Sequence, residues 1–97
     1  MGRFRPDIPP HVAEIVRRLP PDVKRIVRQA LRALCENPDA GEPLRQDLKG
    51  LWKYRVRRFR IVYGIERPRR VLRVFAVGHR RRVYEEAAEA LRKQGRD

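Results

Sequence analysis

Apolar positions recur with helical spacing early in the chain and with a period of two in its middle. Val12, Ile15, Val16 and Leu19 follow the i, i+3, i+4, i+7 rule, and Pro10 suits the first turn of a helix. Pro20-Pro21 ends that helix and opens a second. There Val23, Ile26, Val27, Ala30, Leu31 and Leu34 keep one apolar stripe, until Asn37-Pro38 stops it. The tight joint predicts an antiparallel helical hairpin. Residues 37–50 are rich in turn formers and read as a loop.

From Leu51 the alternation is strand-like. Trp52, Tyr54 and Val56 point one way, and Lys53, Arg55 and Arg57 the other. Phe59, Ile61, Tyr63 and Ile65 share a face on the next run, FRIVYGIE, and VLRVFAVG reads as a more fully buried strand. Short links between the three predict an antiparallel meander. Phe4 and Ile8 are compatible with a short edge strand, which Pro6 and Pro9 would interrupt. Val83 to Lys93 predicts a short last helix, with Glu85, Glu86 and Glu89 early, where acids suit the helix dipole. The expectation is one α+β domain over residues 1–97. In it an N-terminal helical hairpin packs on a small antiparallel sheet of three to four strands, followed by a short C-terminal helix.

Charge changes this picture most. The net charge is +13, and residues 49–84 hold thirteen basic residues against Glu66 alone. The remainder is nearly balanced, so the field belongs to one part of the chain. If Trp52, Tyr54 and Val56 pack on the helices, Lys53, Arg55 and Arg57 emerge on the far face, where Arg60 joins them. A solvated face usually mixes signs. Like charges on neighbouring strands repel, and guanidinium forks match phosphate oxygens. A polyanion is the expected partner.

Other chemistry is sparse. Cys35 is the only cysteine and ends an apolar helical stripe, which predicts a partly buried structural thiol. One thiol and two scattered histidines make no zinc set, and no cofactor is implied. No apolar run approaches the roughly 20 residues of a membrane span, and MGRFRPDIPP lacks a signal-peptide core. The cytoplasm is the expected compartment, without a membrane partner.

The series LKGLWKYRVRRFRIVYGI (48–65) and VGHRRRVY (77–84) resembles the RelE/ParE toxins of type II toxin–antitoxin pairs, closer to the RelE-like branch. GEPLRQDLKG and LPPDVKRIVRQALRAL are similar to that family's pre-strand loop and second helix. The resemblance implies a metal-independent endoribonuclease that cuts mRNA at the ribosome and is neutralised by an acidic antitoxin. DNA would be met only indirectly, through an antitoxin complex. It implies Arg60 and Arg80 at the transition state, with Tyr84 stacking on a base or sharing in proton transfer. Lys53, Arg55, Arg57, Arg81 and Arg82 would bind substrate. Arg55 and Arg57 stand where well-known members have lysine. Arginine is effectively always protonated, so His79 becomes the alternative base. The same resemblance admits a ParE-like gyrase inhibitor without nuclease activity, or a relative that binds RNA without cutting it.

Overall fold

The structure is a computed structural model that describes residues 3–79 and 81–94. Eight elements run in the order β1 (Arg5–Asp7), α1 (Pro10–Arg17), α2 (Pro21–Glu36), β2 (Glu42–Pro43), β3 (Leu51–Val56), β4 (Phe59–Glu66), β5 (Val71–His79) and α3 (Arg82–Gln94). The α+β class, the helical hairpin, the meander and the last helix are as the sequence predicts. The sheet is larger. It has five strands in the order β1-β5-β4-β3-β2, and β1 lies parallel to β5. Two features explain the additions. Arg5 N–H donates to Arg70 O, so the chain's alternation turns the nitrogen of Pro6 away from β5, and an edge strand tolerates the missing donor. Glu42 and Pro43 of the expected loop pair with Lys53 and Trp52 to form the other edge.

The sheet carries a core on each face. On the first, α1 and α2 bring Val12, Val16, Val27, Leu31 and Leu34 onto Ile61, Tyr63, Leu72, Val74 and Val77. Full burial of such side chains contributes roughly 1.5–3 kcal/mol each. Trp52 packs partly buried against this core, its ring 6.4 Å from that of Tyr63. Cys35 is buried here, and burial pushes its thiol pKa up, which suits a structural role. On the second face α3 sets Val83 and Ala87 onto Leu51, Val62, Phe75 and Ala76. The far face of the sheet is therefore not wholly cationic: α3 covers part of it.

A bulge makes this second core possible. Val62 faces Ala76 and Tyr63 faces Val74, leaving Phe75 extra on β5. Phe75 and Ala76 both reach the α3 core, and the parity of every later β5 residue is reversed. VLRVFAVG is the more fully buried strand that the sequence predicts, and the bulge lets its two faces feed both cores.

Among the described residues, no helix is long and apolar enough to cross a membrane.

Candidate phosphate-binding cleft

The site is built at the β3–β4 hairpin. Val56 pairs with Phe59, which leaves Arg57 and Arg58 as the whole link. Arg57 adopts φ 55°, the left-handed region that favours glycine. The alternation predicts Arg57 as a strand residue beside Arg55. Instead β3 ends at Val56, and Arg57 reaches the same region from the turn.

Across the sheet, Arg55 faces Arg60 and Arg60 faces Gly78. Two guanidinium groups thus stand side by side, next to a position without a side chain. Arg60 Nη1 donates to Phe59 O at 3.0 Å and to Arg57 O at 3.3 Å. These bonds hold the guanidinium against the turn. The bulge places His79 opposite Phe59, with ring centroids 4.6 Å apart.

Together Arg55, Arg57, Arg58, Arg60, His79, Arg81 and Arg82 line a cleft of about 620 Å³. No acid contributes to its wall. None of these six arginines makes an ion pair with another described residue. The contrast with the other end of the sheet is sharp. There Arg73 pairs with Asp7 and Glu66, Arg69 with Glu66, and Arg67 with Asp39. The Arg73 hydrogen bond holds the Glu66 carboxyl below the usual glutamate range, with Arg69 and Arg5 adding to the effect. Glu66, Asp7 and Asp39 are thus taken up by cations away from the hairpin. A cleft wall of unpaired guanidinium groups is chemically suited to an anion.

The sequence-predicted residues divide. Arg55, Arg57, Arg60, His79, Arg81 and Arg82 come together. Lys53 lies one recess away and pairs with Glu42 at 3.6 Å. Tyr84 is half-buried on the first turn of α3, packed against the α3 core, and does not line the cleft. Arg80 lies outside the described residues. Arg58 joins the wall although alternation singles out only its neighbours. Its signal was the two-residue link itself, which turns both arginines to one end.

Tyr63 is a further residue that spacing alone presents as plain core. Its hydroxyl donates to Pro38 O at 2.7 Å and accepts from Gly41 N–H at 3.1 Å. A Cβ at Gly41 would collide with the Tyr63 hydroxyl and Lys53 O, so only glycine allows this approach. The loop before β2 is thereby fixed along the sheet edge.

Comparison with known proteins follows the same lines. Residues 5–84 match the family model described as the ParE toxin of type II toxin–antitoxin systems, parDE. The chain is similar to an arginine-to-alanine double mutant of the E. coli toxin RelE in the free state. Identity is 26% and the TM-score 0.74, over 92% of this chain and 97% of that one. It is similar in fold to the Mycobacterium tuberculosis RelBE2 toxin–antitoxin complex, at 24% identity and TM-score 0.75, covering 82% and 94% of the two chains. The archaeal RelE–RelB complex from Pyrococcus horikoshii aligns at 20% identity and TM-score 0.68, over 82% and 98%. No curated protein matches the chain by sequence.

Proposed function

The chain belongs to the ParE toxin family of type II toxin–antitoxin systems, and we propose that it acts as a metal-independent endoribonuclease on mRNA, at the ribosome. The observation that carries this reading is the acid-free cleft of six unpaired arginines with one imidazole in its wall. RNA brings its own nucleophile. The 2′-hydroxyl attacks the adjacent phosphorus, the O2′–P bond forms and the P–O5′ bond breaks. The 2′-oxygen loses a proton and the 5′-oxygen gains one, leaving a 2′,3′-cyclic phosphate and a 5′-hydroxyl.

Negative charge gathers on the phosphoryl oxygens in the transition state. Arg60, held by its two backbone carbonyls, is preorganised to meet it. The family resemblance assigns the same duty to Arg80. Arg55 and Arg57 position the phosphate, and Arg58, Arg81 and Arg82 hold the flanking backbone. The arginines cannot accept a proton, so transfer from the 2′-hydroxyl falls to His79, whose ring is set by Phe59. Tyr84, half-buried against the α3 core, helps fix the helix that presents Arg82.

Relatives solved as RelB–RelE complexes support a cognate antitoxin partner, and an acidic one would neutralise the toxin by masking this cationic surface. The cytoplasm is the compartment in which mRNA and antitoxin are both met.

One observation favours a second reading, gyrase inhibition without nuclease activity: the tyrosine expected at an RNase site is half-buried against the α3 core and does not line the cleft. Induced expression separates the two. New mRNA 5′ ends and growth arrest, both lost with Arg80→Ala, are expected. Arrest with intact mRNA and inhibited supercoiling would replace the nuclease reading with the gyrase one.

A further inference from the structure

Beside the arginine cleft lies a second recess of about 350 Å³, and it shares Arg55 and Arg60 with the first. Its chemistry is different. One wall is the loop Ala40–Glu42 and the other is β3 at Lys53 and Tyr54. Glu42 and Lys53 are direct cross-strand partners, so both side chains rise on the face that carries Arg55 and Arg60. Their charged atoms stand 3.6 Å apart, an ion pair beyond hydrogen-bond reach. Each group therefore keeps its hydrogen-bonding capacity. The loop wall is rigid, because Tyr63 bonds Pro38 O and Gly41 N–H on its inner side.

We propose that this recess is a base-recognition subsite for guanine, next to the phosphate held by Arg55 and Arg60. The inference rests on the RNA-binding reading of the cleft and names the substrate feature it selects. A carboxylate accepts only, and an ammonium donates only. Side by side they present two acceptor oxygens next to one donor group. The Watson–Crick edge of guanine offers the complement: N1–H and the N2 amino group donate, and O6 accepts. Adenine presents an amino donor and the N1 acceptor, and cytosine an amino donor with the N3 and O2 acceptors, so in each a ring acceptor faces the carboxylate unfavourably. Uracil offers a single donor between two acceptors. Glu42 also makes physical sense of a local exception, since an acid beside phosphate-binding arginines weakens backbone binding and is useful only if it reads something.

The test is equilibrium binding of short uridine-rich RNAs that carry one central guanine, adenine or inosine. Their 2′-hydroxyls are methylated so that no cutting accompanies binding. Wild type is expected to bind the guanine strand roughly tenfold or more tightly than the adenine strand, with inosine between. Glu42→Gln removes an acid from a cationic surface and should tighten binding to every strand. The readout is therefore the guanine-to-adenine ratio, which should fall to about twofold or less. Salt-dependent binding with equal affinity for all three strands, abolished by Arg55→Ala, would overturn the guanine subsite and leave the phosphate cleft standing. Absence of salt-dependent RNA binding by wild type would overturn both.

Discussion

Arg57 and Tyr63 show how differently two residues can be legible. Arg57 was readable as a cation near the sheet's polar face, but not as a turn residue, because alternation continues through the position. Its left-handed φ of 55° costs a non-glycine residue about 1 kcal/mol or slightly more. Such strain at a charged tip is consistent with selection for the side chain over stability. Arg57→Gly should hold or raise the melting temperature in a thermal unfolding scan. The same change should reduce the slope of log affinity against log salt for single-stranded RNA by about 0.7. Tyr63 was readable as an inward residue, yet its hydroxyl partners lie across a loop that alternation does not describe. Burial pushes its pKa up to about 12, opposed by the Gly41 N–H and aided by Asp39. The folded state thus holds this proton more tightly than the unfolded chain does. That contribution is complete below pH 10 and is lost as pH rises toward 12. Tyr63→Phe should destabilise by about 1–3 kcal/mol in urea unfolding at neutral pH and flatten the alkaline limb.

At the level of elements, periodicity located both hairpin helices, the three long strands and α3. It left the first edge strand open and missed the other, because each is too short to show a period. β1 spans Arg5–Asp7 and β2 only Glu42–Pro43. The bulge in β5 was also invisible, since one extra residue leaves a run of apolar side chains looking continuous. That bulge decides the site: it brings His79 opposite Phe59 and leaves Gly78 beside Arg60. The ion pairs at the other end tie β1 to β5 through Asp7 and Arg73, and β5 to β4 through Glu66. Because the folded-state pKa of Glu66 is lowered, its contribution is present above the ordinary value of 4.5 and disappears as pH falls through the lowered one. Glu66→Gln should therefore remove part of the acid sensitivity, seen as a flatter melting temperature profile below pH 4.5.

Over the whole molecule, the decisive property is the segregation of charge. The sequence already showed where cations concentrate, through thirteen basic residues and one acid in 49–84. It did not show that pairing consumes one group of them and spares another. Six unpaired arginines at one cleft predict a salt slope of up to about −4 for single-stranded RNA. Charge alone would suffice for the proposed binding, whereas cutting needs a preorganised guanidinium at the scissile phosphate. The most direct test is the rate at which purified protein cleaves mRNA in a translation reaction, with the ends of the products identified. The expected result is fragments ending in 2′,3′-cyclic phosphate, with the rate lowered roughly 10²–10³-fold by Arg60→Gln while the fold is retained. Intact mRNA with wild type, or an equal cleavage rate with Arg60→Gln, would contradict it.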